Sequence, residues 1–369
     1  MPRDFGVAYV SSFVASFLQS VFIPTLVVYA YLSSLRELEI SLITGFASLV
    51  YIPGALASAG LYSRIGARRI IVLAFGILAA GLAAHLFSHD FYSILLAASI
   101  VLLSLGVFWP ALETYMSHSG TSVSLFSFSW SSGSLLGAFL TSTLLRFDAR
   151  LLFASYALLS VIQALIALKL NEKVSVNESE VKHDNNIFSL LLLVTPWLYC
   201  LAYASSASGV FTFYPLFVER NGLSKDYISL VNFSMLLSRT ITFFFYERIP
   251  VLVRDPLLAS ALFLVGGFLT KTQQPLLVVL TSMLIGYAQG VIYATALEQV
   301  FKRGQGVERA TSLFESFIGL GYAIAPPISG LSHVLLHAEP ISFSSMLSLL
   351  IALPGTIIYR RRKIKNASS

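Results

Sequence analysis

The sequence predicts an all-α integral membrane protein with twelve transmembrane helices in two pseudo-symmetric six-helix bundles. Three observations predict it: composition, the spacing of apolar runs, and an internal repeat. Residues of the set Ala, Val, Ile, Leu, Met, Phe, Trp, Tyr and Cys make up 56% of the 369 positions, and charged residues only 11%. A soluble domain carries about 25% charged residues, because even a large fold needs a polar skin. A bilayer solvates apolar side chains directly and removes that need.

A helix crosses the hydrocarbon core with ~20 apolar residues. Such runs fall near 6–32, 40–62, 69–88, 92–116, 123–145 and 151–170, and again near 188–218, 226–247, 255–271, 275–300, 308–335 and 341–360. We number them spans 1 to 12. The first run is too long for the ~7–15-residue apolar core of a secretory signal, so it is expected to remain as a span. Between the two sets, Asn171 to Asn186 (NEKVSVNESEVKHDNN) is polar and charged and reads as a solvated linker. The expected organisation is a bundle over 1–170, a cytoplasmic linker over 171–186, and a second bundle over 187–369 with a basic tail.

Basic residues orient the spans. With both termini cytoplasmic, that side holds 17 of the 24 Lys and Arg residues, the other side six, and Arg239 lies within a span. An odd helix count would scramble this asymmetry. The pI of about 9.3 and the tail Arg360-Arg361-Arg362-Lys363-Ile364-Lys365 suit anchoring on an anionic leaflet, and no nucleic-acid partner is expected. A single cysteine, Cys200, excludes an internal disulfide.

The halves repeat at a nearly constant offset. Ile40-Ser41-Leu42 opens span 2 and Ile228-Ser229-Leu230 opens span 8; Glu113 matches Glu298, and Gly137 matches Gly321. An offset near 185 residues indicates a parallel repeat about an axis along the membrane normal.

The loop between spans 2 and 3 reads Ala59-Gly60-Leu61-Tyr62-Ser63-Arg64-Ile65-Gly66-Ala67-Arg68-Arg69. A turn this short needs a glycine, and its arginines can meet acids or helix C-termini in the headgroup layer. The segment resembles the helix 2–3 loop of the major facilitator superfamily, written G-x-L-x-D-R-x-G-R-R, with Arg64, Gly66 and Arg68 on matching positions. Ser63 stands where that family has an acid, so the resemblance implies a weakened cytoplasmic latch. It also implies the superfamily's twelve-helix fold, alternating access about a midplane site, and a gating role for Ser63, Arg64, Gly66, Arg68 and Arg69. Related transporters line the cavity with helices 1, 4, 7 and 10, completed by 2, 5, 8 and 11. Family drug antiporters often carry Gly-Pro in helix 5; here Ala138 follows Gly137.

Ionisable groups inside a membrane are costly and mark function. Arg239 lies eight residues before Glu247, about 12 Å of helical rise, and Glu315 seven after Glu308, about 10 Å. At matched depths they are expected to pair or to meet a charged substrate together. Glu113 and Glu298 fall near the ends of spans 4 and 10. Glu298 is one turn before Lys302 and Arg303, so it reads as a surface pair or as a charge latch. Polar stripes add Ser12, Ser16 and Gln19 on span 1, Asn232 on span 8, Gln289 and Tyr293 on span 10, and Tyr203 among the serines of span 7. The substrate-cavity candidates are therefore Gln19, Tyr203, Asn232, Arg239, Gln289, Tyr293 and Glu315. Proton coupling would run through Glu315 or Glu113, with facilitated diffusion as the variant without it. His85/His89 and His333/His337 have metal-ligand spacing, but interfacial histidines are common and no metal or other cofactor is expected.

The expected function is secondary transport of a small solute across the cell membrane by a monomer. The many aromatics favour export of amphipathic compounds, and the incomplete helix 5 signature disfavours it. A sensor or enzyme retaining a transporter fold is the alternative of a different class. No ATP-binding loop is present, and no nucleophile-base pair occupies a long loop.

Overall fold

The computed structural model describes residues 3–119, 123–170, 194–250, 252–301 and 307–368; side chains are described except at 3–5, 123–124, 301, 307–308 and 362–368. The expected linker 171–186 and the first residues expected for span 7 lie outside this set, as do Lys302 and Arg303.

The described residues are helical throughout, joined by short turns. Span 1 is Arg3–Leu32. Spans 2 and 3 form one run, Glu37–Ala84, interrupted at Gly66, whose φ of 77° and ψ of 163° are non-helical. Continuous helix over 48 residues would extend about 72 Å, more than twice a hydrocarbon core of about 30 Å, so the run must cross twice. A left-handed φ suits glycine alone among the loop residues, which explains why the turn falls there. Spans 4 to 8 are Phe91–His118, Val123–Leu144, Ala149–Ala167, Val194–Arg220 and Asp226–Phe245. Spans 10 to 12 are Pro275–Phe301, Val307–Leu336 and Pro340–Ser368.

Two elements differ from the sequence reading. Span 9 is a short α-helix, Pro256–Leu262, that tightens into a 3₁₀ segment over Phe263–Phe268. Gly266 and Gly267 lie in that segment, and the hydroxyls of Ser345 and Ser342 on span 12 occupy the space their side chains would need. Span 12 runs past the expected end at 360, and the basic tail continues it as helix.

Two helix starts on the face away from the termini carry acidic caps. The Asp90 carboxylate accepts from the backbone N–H groups of Tyr92 and Ser93 and starts span 4. Asp148 caps span 6 in the same way. The Ser93 hydrogen bonds, backbone and hydroxyl, hold the Asp90 carboxyl below the usual carboxylate range. This cap therefore stabilises at neutral pH and is lost as pH falls through that lowered value.

The repeat seen in sequence reappears as paired packing. Gly133 and Gly137 of span 5 press on span 1 at Phe13 and at Phe17 and Ser20, and Gly321 of span 11 presses on span 7 at Leu201 and Ala204. Gly106 of span 4 meets the Tyr51 backbone of span 2, and Gly286 of span 10 meets the Met235 backbone of span 8. Small residues allow these approaches where apolar lipid gives no hydrophobic drive between helices. Between the halves, span 2 packs on span 11, with Gly45 against Pro327, and span 5 packs on span 8. Large apolar side chains such as Leu56, Leu158, Leu264 and Leu350 remain exposed on the outer faces, as lipid contact requires.

A side chain at Gly133 would overlap the Phe13 carbonyl oxygen. Gly133→Val is expected to destabilise by about 1–3 kcal/mol, read as a lowered unfolding temperature in detergent. Gly76→Ala, which meets open space, should change little.

Candidate functional site

Eight spans enclose a central cavity of about 900 Å³, counting its open mouth. Its walls include Ser16 and Gln19 of span 1, Tyr51 of span 2, Trp109 and Glu113 of span 4, and Trp130 of span 5. The second half adds Tyr203 of span 7, Arg239 of span 8, Tyr293 of span 10, and Glu315 and Tyr322 of span 11. The helices expected to line it, 1, 4, 7 and 10 with 2, 5, 8 and 11, are the ones that do.

One side of the cavity is cationic. Arg239 is 3% exposed. Its Nη1 donates to the Tyr203 hydroxyl at 2.8 Å. Its guanidinium carbon sits 5.1 Å from the Trp130 ring centre and 5.6 Å from that of Tyr203. Tyr293 closes the cage, with its ring centre 5.0 Å from Tyr203 and 5.5 Å from Trp130. Buried Nε has no hydrogen-bond partner. No carboxylate among the described residues lies within ion-pair distance of this arginine. Desolvated cation–π contacts are worth about 2 kcal/mol each and a charged hydrogen bond about 1.5–3 kcal/mol. Burying a cation costs several kcal/mol, so a guanidinium with a bare Nε keeps a demand for an anion.

The other side is acidic. Glu315 is 5% exposed and accepts from the Tyr51 hydroxyl. Glu113 is fully buried and within interaction range of Glu315, yet neither of its oxygens has a well-aligned hydrogen-bond partner. Next to this pair, the hydroxyls of Thr114 and Thr311 meet at 3.1 Å and join spans 4 and 11.

Several expectations change here. Arg239 and Glu315 share the cavity, as their matched depths require, but they do not pair: the arginine is engaged with Tyr203, and the glutamate with Tyr51. Glu113, expected close to the interface, is instead a cavity residue. Gln19 lines the cavity and accepts from the Trp109 indole at 3.3 Å. Asn232 and Gln289, read as cavity residues, do not line it. Gln289 donates to Ser206 at 3.1 Å, and Asn232 is buried with both amide atoms unpaired. Gln289 points at span 7 of its own half. Tyr51, Trp109 and Trp130 were not singled out from sequence, because aromatic residues are abundant throughout the chain.

The faces differ in how they are closed. On the face opposite the termini, Glu37 of span 2 pairs with Arg220 at the end of span 7 at 3.7 Å. Arg146 pairs with Asp226 at 3.1 Å, and Lys225 donates to the Leu145 carbonyl at 3.0 Å. The Ser142 N–H donates to the Ser229 hydroxyl at 2.7 Å. All four contacts join the first six spans to the last six. On the face of the termini, Ser63 donates to the Gly60 carbonyl within its own helix, and Arg64 and Arg69 are exposed. Arg68 and Glu298 are half-buried and engaged with neighbours. Exposed ion pairs contribute about 0.2–1 kcal/mol each. Glu37→Gln with Asp226→Asn is thus expected to raise labelling of a Ser16→Cys probe from the opposite face several-fold, in a Cys200→Ala background. Unchanged labelling would remove these pairs from gating.

The histidines have local roles. His85 meets the Gly81 carbonyl and stacks on Phe153, Arg150 donates to His89, and His333 meets the Ala338 carbonyl.

Solved structures show the same architecture. The crystal structure of a mutant of the nucleoside transporter NupG superposes with a TM-score of 0.70 at 13% identity, covering 95% of this chain and 96% of that one. The human organic anion transporter MFSD10 superposes with a TM-score of 0.68 at 15% identity, covering 97% of this chain and 99% of that one. At these identities the likeness is one of fold. No curated protein sequence matches the chain. Residues 8–252, about two thirds of the chain, match the sequence model of the Major Facilitator Superfamily. With the loop motif, the long apolar helices and the eight-helix cavity, this match means that the chain is a multi-pass membrane protein belonging to the Major Facilitator Superfamily.

Proposed function

We propose that this protein is a secondary transporter that moves a small solute by alternating access, with the first and last six spans rocking about the central cavity. The observation that carries it is a buried arginine, Arg239, facing a buried pair of acids, Glu113 and Glu315, across a cavity built from both halves. The arginine and the acids do not form a structural ion pair with one another. The 17-to-6 division of basic residues supports termini on the cytoplasmic side of the cell membrane. Nothing in the cavity requires a second subunit, and a monomer is the expected working unit.

The acid pair is the proposed proton site. Two buried carboxylates at close range repel when both are charged, and a proton taken up from one side and released to the other relieves that repulsion. The groups facing the pair are the Tyr51 hydroxyl, the Tyr203 and Tyr293 phenols and the Cys200 thiol, with Arg239 across the cavity. The seven aromatic side chains of the lining favour a second reading, export of amphipathic compounds.

Uptake into proteoliposomes across a compound panel, with and without an imposed pH gradient, tests the reading. Saturable flux, faster with a proton gradient, is expected. Folded protein that moves no solute would overturn it.

A further inference from the structure

We infer that Arg239, Trp130 and Tyr203 form a carboxylate subsite, and that the solute is an organic monoanion with a flat, unsaturated body. This rests on the cavity being the solute site. Three observations define the chemistry. First, Nη1 of Arg239 is spent on the Tyr203 hydroxyl, while Nε is buried without a partner. The edge shared by Nη2 and Nε, where neither nitrogen has a hydrogen-bond partner among the described residues, is therefore the side left to bind, with Nη2 the nitrogen that reaches the cavity and Nε buried behind it. Second, the rings of Trp130 and Tyr203 lie within 5.6 Å of the guanidinium carbon and occupy its surroundings. A ligand would approach along the edge that they leave free. A carboxylate matches a guanidinium edge in this way, with two parallel N–H···O bonds. Third, the cavity acids are engaged elsewhere: Glu315 takes the Tyr51 hydroxyl, and Glu113 lies beside Glu315. None of the described residues supplies the arginine with an anion.

The walls set the body. Tyr293 stands against both cage rings, and Trp109 lies 6.4 Å from Trp130. A planar group carried by the carboxylate would extend between these faces, where stacking contributes about 0.5–1.5 kcal/mol per pair. A monoanion is favoured over a cation because the cationic side is the one caged by aromatics.

The test is equilibrium binding to the purified full-length protein in detergent, by calorimetry. Benzoate, benzyl alcohol and benzylammonium share one ring and differ in charge. Benzoate is expected to bind at least tenfold more tightly than either of the others. Arg239→Gln should lower benzoate affinity at least tenfold and leave benzyl alcohol unchanged, while Tyr203→Phe, which keeps the ring, should retain benzoate selectivity. Equal binding of the three probes, preference for benzylammonium, or wild-type benzoate affinity in Arg239→Gln would each overturn the subsite. If Arg239→Gln fails to fold, the ranking of probes on the wild-type protein still decides. Binding needs no membrane, so selective benzoate binding without flux would remove the transport reading and keep the subsite. Flux of another solute without benzoate binding would remove the subsite alone.

Discussion

Arg239→Ala is expected to reduce solute flux about a hundredfold while the protein stays folded. The guanidinium is buried at 3% exposure, and among the described residues its hydrogen bond is to the Tyr203 hydroxyl. Its remaining capacity is available to the solute. A charged hydrogen bond contributes about 1.5–3 kcal/mol, and 3 kcal/mol corresponds to roughly a hundredfold in affinity or rate. Deletion also relieves a desolvation cost, so unfolding temperature should fall little. The charge swap Arg239→Glu with Glu315→Arg should not rescue flux, because each residue has its own partner and the two do not pair. Rescue by the swap would show that an Arg239–Glu315 ion pair forms during the cycle and is what the site requires. Initial rates in proteoliposomes, with unfolding temperatures alongside, check both statements.

The second large effect concerns the acids. Glu113→Gln and Glu315→Gln are each expected to abolish the response of flux to an imposed pH gradient, yet to leave solute counterflow within a few-fold of the wild-type rate. Glutamine keeps the volume and polarity of the side chain and removes the titrating proton. Exchange of solute for solute needs no net proton movement, so it should survive. The effect at Glu315 should be the larger, since an amide there also changes the hydrogen bond from Tyr51. Gradient-driven flux that persists in both variants would place proton coupling elsewhere or make the protein a uniporter.

Much of the fold was legible because hydropathy and charge report directly on the bilayer. The apolar runs located the crossings, and the basic loops separated the faces. Gly66 marked a turn whose left-handed φ the structure contains. The repeat was legible through residues such as Gly137 and Gly321, which press on spans 1 and 7 at equivalent places. Span 9 was less legible: its 3₁₀ segment depends on Ser342 and Ser345 of span 12, far along the chain. The site was half legible. Arg239, Glu315, Tyr203, Tyr293 and Gln19 stood out as polar groups within apolar spans. Tyr51, Trp109 and Trp130 did not, because an aromatic residue reads the same whether it faces lipid, a helix or a cavity. Asn232 and Gln289 were misplaced for a related reason. Helical spacing gives a shared face, but only packing decides whether that face meets a cavity or a neighbouring helix. Glu113 illustrates the limit of depth counting. It lies five residues from the end of its helix at His118, yet is fully buried, because spans 4 and 11 close over it through Thr114 and Thr311.

The opposite-face contacts, Glu37–Arg220 and Arg146–Asp226, bear on which state is described. They hold the halves together on the side away from the termini, so alternating access requires them to separate. The most direct test measures distances between spin labels by pulsed electron resonance, in a Cys200→Ala background. Two pairs join Ser33 to Gly222 and Phe147 to Thr272 on the opposite face; a third joins Tyr62 to Glu247 on the face of the termini. The account predicts that adding a transported solute, or changing pH, shortens one set of distances as it lengthens the other. Distances that stay fixed on both faces, in protein that demonstrably moves solute, would contradict it.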